Sequence, residues 1–225
     1  MYRVNLMSSH LGGFLSGASL GGKVLKYRDK QNIYTEGSRA TTLFYIQEGG
    51  VRLTTRSKER RAVVTALLGV GDFFGELCLA GYPLRVSTAV ALAASSIRTI
   101  SKQKMLELLR KKNKTSNSLV AYLLCSVADT REQIADLMTS SAEQRLARVL
   151  LRLAHLNKNG AAAVEIPFLS HRVLAEMVGT TRPRVNQFMN RFRKKGYINY
   201  DGGIEVHQSL RKVLKNPGSR LQASK

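Results

Sequence analysis

A 225-residue chain with 44% hydrophobic residues has enough material for one large domain or two modest ones with packed cores. Its formal net charge of +21, from 36 Lys and Arg against 15 Asp and Glu, calls for a polyanionic partner, with nucleic acid the first candidate and an anionic membrane surface the second. Residues 141–225 hold 16 basic against 5 acidic residues, net +11, which leaves +10 for residues 1–140, so charge does not say which part binds.

No apolar run approaches the ~18–20 residues that span a bilayer, and Met1 to Gly22 shows no basic segment followed by a sustained apolar one. The expectation is a cytoplasmic protein with no membrane partner. Cys78 and Cys125 sit in apolar surroundings without metal-ligand spacing, so neither a disulfide scaffold nor a zinc finger is expected.

In chain order, a mixed N-terminal stretch with a short helical possibility precedes residues 25–101. There, short β-type runs such as Leu43-Phe44-Tyr45-Ile46, Val51-Arg52-Leu53-Thr54-Thr55 and Val63 to Leu68 alternate with Gly and Asp/Glu turns. Closely spaced strands of this kind predict a small sandwich or barrel. From Lys102 to Leu156 there is no proline or glycine and apolar residues recur at helical spacing. Leu123, Val127, Thr130, Ile134 and Leu137 step by four and three, the spacing of a seam between supercoiled helices. An ordinary amphipathic helix packed on its own domain fits the same spacing. Lys111 to Lys114 and Arg131 read as solvated charges.

Ser170 precedes His171 to Val178, a two-turn helix that Gly179 ends. Thr181 then precedes a second helix running to Phe192, with Pro183 in its first turn. Val185, Phe188, Met189 and Phe192 form its inner face, while Arg182, Arg184, Gln187, Asn190 and Arg191 project outward. Tyr197 to His207 reads as two strands around an Asp-Gly turn, a wing. A short helix, a glycine turn and a polar second helix make a helix-turn-helix, over about 170–191, whose second helix enters the major groove. Arg, Gln and Asn are suited to base edges, and Ser170, His171 and Thr181 to phosphates. The same segment also fits a small α+β core with a solvated basic face; wing, basic helix and overall charge together favour DNA. The tail from Pro217 to Lys225 carries no readable element and is expected to be disordered.

The chain resembles the cyclic-AMP receptor protein and fumarate-nitrate reductase regulator (Crp/Fnr) family of bacterial transcription factors over nearly its whole length. The resemblance rests on Gly71-Asp72-Phe73-Phe74-Gly75-Glu76-Leu77, on Arg85, on a long helix ending Arg145-Leu146-Ala147-Arg148-Val149-Leu150-Leu151-Arg152-Leu153-Ala154, and on the helix-turn-helix. It implies an α+β fold: an N-terminal β-roll of the cyclic-nucleotide-binding kind over 1–110, a dimerisation helix over 111–139, and a C-terminal winged helix-turn-helix over 140–225 with its wing at 197–207. The seam then becomes a homodimer interface. The implied partners are a palindromic double-stranded operator and RNA polymerase.

In cyclic-nucleotide-binding members of the family, the Gly-Glu-Leu loop offers amides and a carboxylate to the ribose, and an arginine holds the cyclic phosphate. Gly75, Glu76, Leu77 and Arg85 match those roles, with cyclic AMP, cyclic GMP or cyclic di-GMP the candidate effectors. Val86 stands where a small hydroxyl residue usually follows the arginine, and Ser87 comes one step late, where a strand would turn it the other way. Thr130 and Arg131 fall at the nucleotide-contacting helix positions, Arg131 replacing a serine. On the recognition helix Arg182 matches a base-reading arginine, but Pro183 and Gln187 depart from the family pattern, so the operator should differ from that of the best-known member.

The iron-sulfur mode of the family needs several cysteines near the N-terminus, and His10, His155, His171 and His207 offer no recognisable haem pair. No nucleophile-base set or metal cluster suggests an enzyme. Two functions remain open: an effector-controlled dimeric regulator, and a constitutive DNA-binding regulator whose β-roll is a relic in which Gly75, Glu76 and Arg85 hold a loop through an ion pair.

Overall fold

The computed structural model describes residues 22–56, 62–111, 113–156, 163–166, 169–200 and 203–215. The stretch before Gly22, Lys112, the Asp201-Gly202 turn and the tail from Pro217 lie outside the described residues. Two compact units divide the chain, Met1–Asp129 and Thr130–Lys225.

The first unit contains eight described strands: β1 Val24–Tyr27, β2 Asn32–Tyr34, β3 Thr42–Glu48, β4 Val51–Arg56, β5 Ala62–Leu68, β6 Phe73–Phe74, β7 Thr88–Ala91 and β8 Ser95–Ser101. They form two antiparallel four-stranded sheets, in the orders β1-β8-β3-β6 and β2-β7-β4-β5. The run Leu43-Phe44-Tyr45-Ile46 is buried throughout, because successive side chains of a strand point to opposite faces and both faces of β3 are covered. Phe44 and Ile46 join Val51, Phe74, Ala89 and Ile97 in one core cluster. Leu43 and Tyr45 join Phe73, Cys78 and Ile100 in another.

The second cluster is completed by helices. Helix α1, Lys102–Lys111, buries Met105 and Leu108 there, and α2, Asn113–Thr139, adds Leu119. Tyr122 of α2 closes the join: its hydroxyl accepts from the Phe73 amide at 2.9 Å and lies 3.2 Å from the Phe73 carbonyl, to which it donates. Burial, with Asp72 nearby, pushes that phenol well up, so it stays a neutral donor.

In the second unit follow α3 Ala142–Leu156, β9 Ala163–Ile166, α4 His171–Val178, α5 Arg182–Lys194, β10 Ile198–Tyr200, β11 Ile204–His207 and α6 Lys212–Lys215. Leu146, Ala147 and Leu150 of α3, Leu174 and Val178 of α4, and Val185, Met189 and Phe192 of α5 are buried, as are Ile198, Ile204 and Val206 of the strands.

Two sequence expectations change here. The wing is a three-stranded antiparallel sheet, β10-β11-β9, because Ala163–Ile166 pairs along β11; four residues beside a glycine gave too short a pattern to read as a strand. The long helix read as ending at Arg145–Ala154 is interrupted at Ser140 and Ser141, just past Thr139, where the dimerisation helix over 111–139 was expected to end. The Ser141 hydroxyl accepts from the Gln144 amide at 3.2 Å while the Gln144 side chain accepts from the Ser141 amide at 3.0 Å, a reciprocal cap that starts α3 without glycine or proline.

Candidate functional site

Helix α4 opens on Ser170, whose hydroxyl accepts from the Val173 amide at 3.3 Å, and ends at Gly179, whose φ of 64° is the left-handed conformation a side chain would resist. The turn leads into α5 through Thr181. Apolar residues at i, i+3, i+4 and i+7, namely Val185, Phe188, Met189 and Phe192, fix the inner face of α5 against the core. Arg182, Arg184, Gln187, Asn190 and Arg191 are thereby all exposed, as are Ser170 and Thr181.

The N-terminal end of α5 gathers positive charge from three sources. Its first turn carries no acidic residue and two arginines, Arg182 and Arg184. Thr181 stands at the cap position yet makes no side-chain hydrogen bond to the helix amides. Unpaired amides and the helix dipole add to the guanidinium charges, an arrangement that repels cations and welcomes phosphate oxygens. His171 registers that field. Burial first, then the Arg182 charge, hold its imidazole below the ordinary histidine value. Its Nε2 lies 3.4 Å from the Tyr200 hydroxyl, so α4 meets the wing at this corner.

Not every outward residue is equivalent. Arg191 is tied to Glu143 of α3 at 2.9 Å, which anchors the recognition helix rather than leaving that guanidinium unattached. Tyr200, which the hairpin pattern does not single out, is exposed at the end of β10; its place beside the Asp-Gly pair is the signal the sequence offers.

In the first unit the sensor-loop residues come together, but with the arginine turned inward. Gly75, at φ 77°, precedes a 3-10 turn Glu76–Cys78. Arg85 is only 7% exposed; its Nη1 donates to the Gly75 carbonyl at 3.1 Å and its Nη2 to the Thr42 carbonyl at 2.6 Å. Its guanidinium carbon lies 4.4 Å from the centre of the Tyr34 ring and 5.3 Å from that of Phe44. A Cβ at Gly75 would stand 2.5 Å from Nη1, so glycine is what lets the guanidinium reach this position.

The residues from Arg85 to Ser87 precede β7 and are not strand, yet they alternate, with Ser87 facing away from Val86 as expected. Arg85 and Ser87 are buried and Val86 is exposed. Leu77 is exposed and Glu76 half-buried; desolvation pushes the Glu76 carboxyl up, partly offset by its own amide and by the Arg85 charge. The expected Arg85–Glu76 ion pair is not among the salt bridges of the described residues; the loop is held through backbone carbonyls instead. Two of the five guanidinium N–H donors hold carbonyls and the buried Nε has no partner among the described residues, while the exposed Val86 that follows offers no hydroxyl to a phosphate. Thr130 and Arg131 are exposed on α2, in the part that belongs to the second unit. Cys78 is fully buried, whereas Cys125 is exposed on α2 among the exposed apolar residues Leu123, Leu124 and Val127.

Residues 24–112 match the cyclic nucleotide-binding domain family, and residues 144–211 match the Crp-like helix-turn-helix domain family. The chain belongs to the Crp/Fnr family of transcription factors. The CRP-like cAMP-activated global transcriptional regulator of Mycobacterium tuberculosis is 25% identical over 172 residues, 76% of this chain and 77% of that protein. FixK2 from Bradyrhizobium japonicum shares the fold with a TM-score of 0.76 and 19% identity, over 89% of this chain and 100% of that one. The c-di-GMP responsive global regulator CLP of Xanthomonas campestris superimposes with a TM-score of 0.69 and 19% identity, over 89% of this chain and 98% of that one. Like the relatives it matches, this Crp/Fnr member is a transcription regulator and not an enzyme, with a cyclic-nucleotide-binding type domain and a DNA-binding helix-turn-helix. No described helix is long and apolar enough to cross a membrane.

Proposed function

We propose that this protein is a homodimeric, sequence-specific regulator that reads a palindromic operator with α5. The observation that carries the reading is the N-terminal end of α5, where Arg182 and Arg184 are exposed on a helix whose opposite face is locked into the core. Arg182 and Gln187 are assigned to base edges, with Arg184 and Asn190 beside them; Ser170, His171 and Thr181 take phosphates. The homodimer is supported by α2, where Leu123, Val127, Ile134 and Leu137 are exposed at seam spacing, as are Val120, Leu124 and Met138. A second copy of the same helix covers such a face symmetrically.

The domain family, together with relatives named as cAMP-activated and c-di-GMP responsive, makes a cyclic nucleotide the candidate effector. The pairing of Arg85 with the Gly75 and Thr42 carbonyls favours a second reading, in which operator binding needs no nucleotide and the Arg85 clamp keeps the β-roll loop in place.

Calorimetric titration with cyclic AMP, cyclic GMP and cyclic di-GMP separates these readings. Saturable binding of one nucleotide to the wild type, with operator affinity that changes when it binds, establishes the nucleotide-controlled regulator. Absence of heat with all three, and operator affinity unchanged by them, establishes the constitutive one. Sedimentation of Leu137→Asp as a monomer, against a wild-type dimer, tests the seam.

A further inference from the structure

Three polar residues in the first two turns of α3 each hold a different element of the second unit. Glu143 pairs with Arg191 of α5 at 2.9 Å, and Arg148 pairs with Asp136 near the end of α2 at 3.1 Å while also donating to the Ser140 hydroxyl at 2.7 Å. Between them Arg145 spans two elements at once: its Nε donates to the Val178 carbonyl at 2.8 Å and its Nη1 to the Ser140 carbonyl at 2.7 Å.

Both acceptors are helix ends. Val178 is the last residue of α4, immediately before the turn that sets the direction of α5, and Ser140 follows the last residue of α2 at the break that separates it from α3. The last carbonyls of a helix lack intrahelical partners and carry the negative end of its dipole, so one planar guanidinium bonded to two such carbonyls fixes the two helix ends relative to each other. Partial burial draws the Arg145 side chain out of water, and the charges of Arg148 and Arg184 press on it further, so it is held there against an electrostatic cost. Ordinary core packing of α3 needs none of this.

We propose that Arg145 is a positioning residue for DNA recognition: its fork sets the angle between the end of α2 and the helix-turn-helix, and thereby the separation of the two recognition helices. The inference rests on the homodimer reading, since only in a dimer must two such helices meet major grooves one turn apart, about 34 Å. A lysine at 145 keeps the charge and much of the length but has no planar fork to hold both carbonyls.

The test uses the full-length protein and a palindromic duplex selected by the wild type from a random-sequence library. Companion duplexes have the half-sites moved apart or together by one base pair, and one carries a single half-site. The wild type should discriminate between spacings by at least roughly tenfold, and Arg145→Lys by less than roughly twofold, with single-half-site affinity and thermal unfolding nearly unchanged. Retention of the sharp preference by Arg145→Lys overturns the proposal, as does an equal loss on the half-site and on every spacing, which marks a merely structural arginine. Monomeric sedimentation of the wild type would instead sink the homodimer reading itself, and is seen without any variant.

Discussion

Arg85 in the first unit and Arg182 in the second are both arginines that the family resemblance places at ligand-holding positions, and the two have opposite fates. Arg85 follows a loop that turns inward, next to a glycine that leaves room for it, and spends its terminal nitrogens on the Gly75 and Thr42 carbonyls. Arg182 starts a helix whose apolar stripe faces the core, so its side chain is left to solvent, and no acidic residue shares its turn. The same functional group becomes an internal clamp or an external reader according to the backbone that carries it. Composition cannot distinguish these, because both cases count one positive charge.

This contrast can be broken most forcefully at Arg85. Arg85→Ala strands two carbonyls and empties space beside Tyr34 and Phe44, and should cost about 2–4 kcal/mol of stability. Chemical denaturation checks it, and a neutral result would mean that the inward pairing holds nothing. Next in size, Arg182→Ala should weaken operator binding by ~1–3 kcal/mol while leaving unfolding almost unchanged. Competition between operator and random duplex reads it; undiminished discrimination contradicts base reading by that side chain.

The smallest effect concerns His171, whose folded-state pKa lies below its unfolded value. The unfolded chain therefore takes up the proton first as pH falls, so the contribution of this group to stability is complete above about 6.5 and lost progressively below it. Denaturation followed from pH 8 to 5 should show that slope in the wild type and a shallower one in His171→Gln. An identical slope in both would locate the dependence elsewhere.

Wherever a short repeat of apolar residues carried the information, the sequence was legible. The stripe Val185, Phe188, Met189 and Phe192 predicts which way α5 faces, since helical geometry leaves one outcome for residues at i, i+3, i+4 and i+7. The run Leu43 to Ile46 predicts a strand for a different reason, being a short apolar run closed by the Gly49-Gly50 turn, and Ser170 and Gly179 mark the ends of α4 through local hydrogen bonding and local φ. Less was legible where a local signal had competitors. The break at Ser140-Ser141 depends on a reciprocal serine-glutamine cap inside a stretch otherwise rich in helix formers, and β9 becomes a strand only through its pairing with β11.

Periodicity and capping among near neighbours were thus enough for the helix-turn-helix, the longer apolar strands and the outward face of the recognition helix, while the α+β arrangement as a whole was what the family resemblance implies. The commitments of the individual arginines were settled by contacts between distant parts of the chain. Arg85 meets Thr42 from 43 positions away, Arg145 meets Val178 from 33, and Arg191 meets Glu143 from 48. Long flexible side chains choose partners by what the fold brings within reach of their donors, and no local pattern in the chain encodes that choice.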